Sequence, residues 1–181
     1  MRVITGTARG RVLKELMGME TRPTTGKVKE SLFSIIQFDI EGRRVLDLFA
    51  GTGQLGIEAL SRGAAECVFV ERRSDAVHLV QENLALCRLT DRAHVRQGDA
   101  LAYLRSGEKF DLVFLDPPYA SGLLEQALMD IAAFDILPST WYNCGGKCCG
   151  NGFARTSATL SAVPRVPVRQ NQADGVPSRR K

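Results

Sequence analysis

Nothing in the 181 residues approaches the roughly 18 consecutive apolar positions that carry a helix across a bilayer, so no membrane partner is expected. The opening Met1-Arg-Val-Ile-Thr-Gly also lacks the charged head and long apolar core of a secretory signal, which points to a cytoplasmic protein. Thiols are few, and the five cysteines do not suggest a metal centre. Cys67 and Cys87 sit in apolar-patterned segments and read as buried thiols. Cys144, Cys148 and Cys149 cluster late in the chain with no histidine or fourth cysteine beside them. A vicinal pair in such a set holds zinc poorly, so no metal is expected.

What is present is enough apolar material, 44% of residues, to bury one core. Charge is unevenly spread. Residues 1–29 hold seven basic residues against Glu15 and Glu20, a balance of +5, and residues 138–181 hold seven basic against one acidic, a balance of +6. The stretch between them is acidic. A basic front on an acidic body suits contact with phosphate, although a solvated surface would look the same on charge alone.

Residues 2–5 and 11–16, around Gly6 and Gly10, suggest a short hairpin. A helix is predicted over 26–37, with Val28, Leu32, Ile35 and Ile36 on its apolar face. From there the pattern alternates. Strands are predicted over 44–49, 67–71, 94–97 and 111–116. Helices are predicted over 54–62, 74–87, 100–105 and 121–134. This order implies an α/β fold, a Rossmann-like doubly wound parallel sheet covered on both faces. The chain divides into three regions: an N-terminal hairpin and helix extension over 1–40, a core over 41–137, and an aperiodic tail over 138–181.

Ligands of such sheets bind beyond the carboxyl ends of the strands, where Asp47, Glu71, Asp99 and Asp116 should project. Gly51, Gly53 and Gly56 come after the first strand in the spacing of a dinucleotide fingerprint, with Glu71 at a suitable distance to bind ribose hydroxyls. Asp47 argues against a pyrophosphate, which a carboxylate at that strand end would repel. The ammonium of S-adenosylmethionine would be attracted instead. Asp99, within Gly98-Asp99-Ala100, suits an adenine amine. Asp116-Pro117-Pro118-Tyr119 closes the fourth strand. Its carboxylate and the Pro117 carbonyl could each accept one N–H of a base amine, aiming the nitrogen lone pair at a methyl group. Tyr119 could stack on an extruded base. A rigid turn is the plainer reading of the prolines, and it loses ground because a cofactor loop lies beside them.

Those residues, together with Arg2-Val-Ile-Thr-Gly, Thr21-Arg22-Pro23-Thr24-Thr25, Val28-Lys29-Glu30-Ser31-Leu32-Phe33 and Glu58-Ala-Leu-Ser-Arg-Gly63, resemble the RsmD-type bacterial 16S ribosomal RNA guanine-N2 methyltransferases over about residues 1–137. The resemblance implies a class I methyltransferase fold using S-adenosyl-L-methionine. It implies a cofactor site from Asp47, Phe49, Ala50, Gly51, Thr52, Gly53, Glu71, Arg72, Asp99 and Ala100. Asp116, Pro117, Pro118 and Tyr119 would hold the target guanine. Arg9, Arg11, Arg22, Pro23 and Thr24 would meet RNA or cofactor. The expected partner is 16S ribosomal RNA or the assembling small subunit, and the enzyme is expected to act as a monomer.

After Leu137 the family pattern stops, where a fifth strand ending in Glu and a closing hairpin would be expected. Read one base later, the codons of Trp141-Tyr-Asn-Cys-Gly-Gly permit Gly-Ile-Ile-Val-Val-Glu, and those from Val168 permit Tyr-Gly-Lys-Ile-Arg-Leu-Thr-Val-Tyr. The tail therefore reads as a frameshift product, disordered in composition, in a chain expected to be poorly soluble or inactive. The rival readings are an adenine-N6 or cytosine-N4 DNA methyltransferase, an NAD-dependent dehydrogenase, and an inactive RNA-binding remnant.

Overall fold

The computed structural model describes residues 1–16, 26–118 and 122–137, and the backbone of 155–156. Along the chain lie α1 (Gly26–Ile35), β1 (Arg44–Asp47), α2 (Gln54–Ser61), β2 (Glu66–Glu71), α3 (Ser74–Cys87), β3 (Ala93–Gln97), α4 (Ala100–Leu104), β4 (Leu112–Leu115), α5 (Leu123–Ala133) and β5 (Arg155–Thr156), with a 3-10 turn at Thr90–Arg92. The tail lies outside the described residues apart from β5. No helix among the described residues is long and apolar enough to cross a membrane.

The strands form one parallel sheet in the order β3-β2-β1-β4-β5. Inner strands are apolar throughout because helices cover both faces. Alternation then sorts their side chains. Val45, Cys67, Phe69 and Phe114 enter one core with Phe33, Leu55, Leu60 and Leu84. Leu46, Val68, Val70, Val113 and Leu115 enter the other with Leu104, Phe110 and Ile131. The chain steps outward from β1 to β3, then returns to place β4 on the other side of β1. The strand order reverses there, so the carboxyl ends of β1 and β4 open a crevice.

The front of the chain doubles back as the short hairpin suggested by the sequence, with few ladder bonds of its own. A single antiparallel bridge joins Arg2 and Val12, supported by Val3 N–H donating to the Arg11 carbonyl at 3.0 Å. The segment is held instead by α2, every residue of which is buried. Glu58, 0% exposed, accepts from the Ile4 N–H at 2.8 Å and the Thr5 N–H at 3.0 Å. Ser61 accepts from the Ala8 N–H at 2.9 Å and donates to the Thr5 carbonyl at 2.6 Å. Gly6, at φ 86°, is required: a Cβ there would lie 1.7 Å from the Ser61 carbonyl oxygen.

The same carboxylate changes the orientation of α1. The apolar spacing predicts a buried face through Val28 and Ile35, but these are 40% and 52% exposed, while Lys29 and Phe33 are buried. The Lys29 ammonium lies 3.3 Å from Glu58 and donates to the Arg2 carbonyl at 2.9 Å. Phe33 packs against Phe114, ring centroids 5.6 Å apart, beneath the Arg62 guanidinium at 4.8 Å. Pairing a buried charge outweighs two aliphatic side chains that can stay half in water. Burial pulls the Lys29 ammonium below its usual range, with Glu58 opposing the shift.

Glu58→Ala should cost about 3–5 kcal/mol, because it strands the Lys29 charge in the core. The double variant Glu58→Ala with Lys29→Met should recover a large part of that loss. Urea unfolding of the four proteins of this cycle measures the coupling. Additive losses would show that the pair is not a unit.

Candidate active site

Beyond β1 the backbone turns through Gly51 at φ 54° and Gly53 at φ 76°, left-handed conformations that a side chain would strain. The turn is tied to both neighbouring strands. Leu48 N–H donates to the Phe114 carbonyl and Ala50 N–H to the Val70 carbonyl, each at 3.1 Å. Gly51 N–H donates to Glu71 Oε2 at 2.9 Å. A Cβ at Gly51 would meet nothing within 4 Å, so the turn faces open space.

Helix α2 starts at this turn, and Gly53 has no side chain with which to cap it. The cap comes from the sheet: Asp47 Oδ2 accepts from the Gly56 N–H at 2.9 Å. Gly56 itself lets α2 lie against β2, since a Cβ there would stand 2.3 Å from the Phe69 ring. Asp47 is only 1% exposed. Burial, more than anything else, pushes its carboxyl up to about 7. The Gly56 N–H works against that shift, and the nearby Asp116 and Glu71 carboxylates add to it. Carboxylates from the ends of three neighbouring strands thus interact, with Asp47 buried beneath the turn and Glu71 and Asp116 half-buried.

Glu71 is half-buried, and its second oxygen accepts from the Arg73 N–H at 2.9 Å. Asp99 is exposed and caps α4 by accepting from the Ala102 N–H at 2.9 Å, while Ala100 is buried beneath it. Gly98 N–H donates to the Glu71 carbonyl at 2.9 Å, which sets the Asp99 turn beside Glu71. Phe49 is half-buried against the second core, Thr52 is half-buried, and Arg72 is exposed. Asp116 and Pro117 are half-buried and Pro118 exposed where β4 ends. Arg9 and Arg11 are exposed on the front segment. Tyr119, Arg22, Pro23 and Thr24 lie outside the described residues.

Two contributors escape a reading of the sequence. Asn83 of α3 is fully buried. It accepts from the Lys14 N–H at 2.8 Å and donates to the carbonyls of Lys14 at 3.2 Å and Thr52 at 3.0 Å. It thus ties the basic front to the glycine turn. Its one signal is an amide three residues after Val80 on an otherwise apolar helix face. The other is Gln54, the first residue of α2, 8% exposed. Its Oε1 has no hydrogen-bond partner among the described residues. An orphaned acceptor, three interacting carboxylates and an open glycine turn together fit a cofactor bearing a cation and hydrogen-bond donors. They do not fit a pyrophosphate.

The chain is similar to known proteins over most of its described length. The family model described as "Conserved hypothetical protein 95" matches residues 1–141. "Putative rRNA methyltransferase YlbH" of Bacillus subtilis is 48% identical over 141 residues, which is 76% of this chain and 77% of that protein. "Ribosomal RNA small subunit methyltransferase D" of Escherichia coli is 38% identical over 129 residues, 71% of this chain and 65% of that one. Among solved structures, "Putative methyltransferase yhhF from Escherichia coli" superposes with a TM-score of 0.70 at 37% identity, covering 76% of this chain and 75% of its own. The sheet order, the glycine turn and these matches agree, and the chain belongs to the conserved hypothetical protein 95 family, the RsmD-type methyltransferases.

Proposed function

We propose that the chain transfers a methyl group from S-adenosyl-L-methionine to the exocyclic N2 amine of a guanine in 16S ribosomal RNA, free or in an assembling small subunit, and that it acts as a monomer in the cytoplasm. The observation that carries this reading is the cluster of interacting carboxylates, Asp47, Glu71 and Asp116, at the strand ends around the Gly51–Gly53 turn. The relatives named as ribosomal RNA methyltransferases support the substrate class.

When bound, the cofactor supplies an electrophilic methyl on a sulfonium. The protein's work is holding and aiming. Glu71 keeps lone pairs for ribose hydroxyls while its oxygens fix the Gly51 and Arg73 amides. Asp99, with Ala100 behind it, faces the adenine amine. Phe49, Ala50, Thr52 and Arg72 border the turn, and Asp47 supports it from below with negative charge when ionised. Asp116 and the Pro117 carbonyl each accept one N–H of the guanine amine. Drawing on both hydrogens localises the nitrogen lone pair and points it at the methyl group, a positioning effect. Pro118 stiffens the backbone there, and Tyr119 stacks on the base. Arg9 and Arg11, with Arg22, Pro23 and Thr24, meet the RNA backbone.

Asp116→Asn should lower turnover by about 10²-fold or more while leaving cofactor affinity within a few-fold, because its acceptor acts on the amine and not on the donor. Labelled methyl transfer followed by nucleoside analysis should find N2-methylguanosine. Label in adenine or in DNA would refute the assignment.

Asp47 adds a dependence on pH. Its carboxyl titrates near 3.8 in the unfolded chain and near 7 in the fold, so the fold binds the proton more tightly. The stabilisation linked to that proton is full below about 4 and is lost as pH rises through 7. Asp47→Asn keeps an acceptor for Gly56. It should flatten the fall in Tm between pH 5 and 8 while weakening cofactor binding. A Tm that falls as steeply as in the parent protein would mean Asp47 does not titrate there.

Replacing Arg9 and Arg11 with Ala should reduce the slope of log affinity for RNA against log salt by about 1 for each phosphate no longer neutralised. An unchanged slope would remove the front segment from the interface.

A further inference from the structure

Thr52 stands between Gly51 and Gly53, both in left-handed conformations, so the backbone on either side of it has little stiffness of its own. The peptide plane joining Thr52 to Gly53 is nonetheless held at both ends. Its N–H donates to the Ala50 carbonyl at 2.7 Å, a bond internal to the turn. Its carbonyl accepts from Asn83 Nδ2 at 3.0 Å, a bond that comes from α3. Val80, three residues earlier on α3, lies so near the turn that a Cβ on Gly53 would stand 3.2 Å from its Cγ1. Helix α3 is the wall against which the turn is shaped.

The same amide holds the end of the front segment. Asn83 Oδ1 accepts from the Lys14 N–H at 2.8 Å, and Nδ2 donates to the Lys14 carbonyl at 3.2 Å. A side-chain amide has two N–H donors; here one goes to Lys14 and the other to Thr52. Asn83 is 0% exposed, set among Val80, Leu84 and Cys87 on the buried face of α3. Burial makes a lost partner costly, because solvent does not stand in for it. If Lys14 leaves, the amide must turn to find other partners, and its hold on Thr52 changes with it.

Lys14 is joined to the exposed arginines by a continuous strip. The Arg11 carbonyl accepts from the Val3 N–H at 3.0 Å, Val12 bridges Arg2, and the Leu13 N–H donates to the Met1 carbonyl at 2.7 Å. The Lys14 side chain also pairs with Glu82 at 2.8 Å, but both groups are 54% exposed, and an exposed pair contributes little. The main-chain bonds to Asn83 are what seat Lys14.

We propose that Asn83 is a positioning residue that couples the two ligands of the site: RNA bound at Arg9 and Arg11 raises affinity for the cofactor, and cofactor raises affinity for RNA by the same factor. The inference rests on the proposed methyl transfer to RNA for the identity of both ligands. The two states are Lys14 seated on Asn83 and Lys14 released. RNA phosphate on the front arginines favours the seated state, in which the Thr52 carbonyl is held and the turn keeps the shape that the cofactor enters. Because the effect is an equilibrium linkage, it is reciprocal.

The test measures binding of S-adenosyl-L-homocysteine by calorimetry, with and without a small-subunit ribosomal RNA transcript, in the parent chain, Asn83→Leu, Lys14→Pro and Lys14→Ala. Lys14→Pro removes the N–H that Asn83 accepts, whereas Lys14→Ala keeps it and loses only the Glu82 pair. RNA should tighten binding by about 5-fold or more in the parent and Lys14→Ala, and by less than about 2-fold in Asn83→Leu and Lys14→Pro. Without any ligand, the Gly53 amide should exchange its hydrogen at least about 5-fold faster in Lys14→Pro than in Lys14→Ala. Equal tightening in all four chains, or a Gly53 amide indifferent to Lys14→Pro, would overturn the proposal. A purely structural Asn83 would lower Tm and both affinities while leaving the tightening unchanged, which also overturns it. A parent chain that binds neither ligand refutes the proposed function and the coupling with it, whereas one that binds both without tightening refutes the coupling alone.

Discussion

A carboxylate with no access to water must find its charge balance inside the fold, and Glu58 finds it in Lys29, Arg62 and two backbone amides. These partners come from three parts of the chain: the opening residues, α1 and the residue that follows α2. Desolvating such a group costs several kcal/mol, so the arrangement holds only if all the partners arrive together. That requirement explains why α2 is buried all round and why the first eight residues trace its surface as closely as they do.

The consequence reaches the site because α2 begins at the glycine turn. Whatever fixes the front segment on α2 also fixes it relative to Gly51 and Gly53. Asn83 supplies a second link by holding both segments, Lys14 on one side and Thr52 on the other. Exposed arginines at 9 and 11 are thereby carried on a rigid support rather than on a loose arm. In the proposed function such a support would matter, since small displacements of the reacting atoms are costly.

Element types are legible in the sequence because their cause is local. The runs around Val45, Val68 and Val113 are buried on both faces, and the apolar positions of α3 recur at helical spacing. The glycine turn and the acids at strand ends are legible for the same reason, since spacing along one strand and the loop after it reveals them. The orientation of α1 is not. Lys29 is drawn inward by a residue 29 positions later, and no periodicity within a helix records that. Spacing alone makes Asp47 a group reaching for a ligand, yet the fold places it under the turn as the cap of α2. The glycine at Gly53, which makes the turn possible, is what leaves the helix needing a cap from elsewhere. Asn83 is hidden by its apolar neighbours and by partners that are all backbone atoms of distant segments.

In the proposed function the acids at the strand ends also choose which cofactor the turn serves. A glycine turn leading into a helix ordinarily offers its amides to phosphate. Here Glu71 and Asp47 have already taken the Gly51 and Gly56 amides, and they set carboxylates where a pyrophosphate would need positive potential. An incoming cation meets the reverse. It relieves repulsion among Asp47, Glu71 and Asp116, the same repulsion that helps hold the Asp47 proton in place near neutral pH. Binding of a positively charged cofactor and release of that proton are therefore linked steps. One backbone motif is thus turned from anion recognition to cation recognition by which side chains occupy its amides.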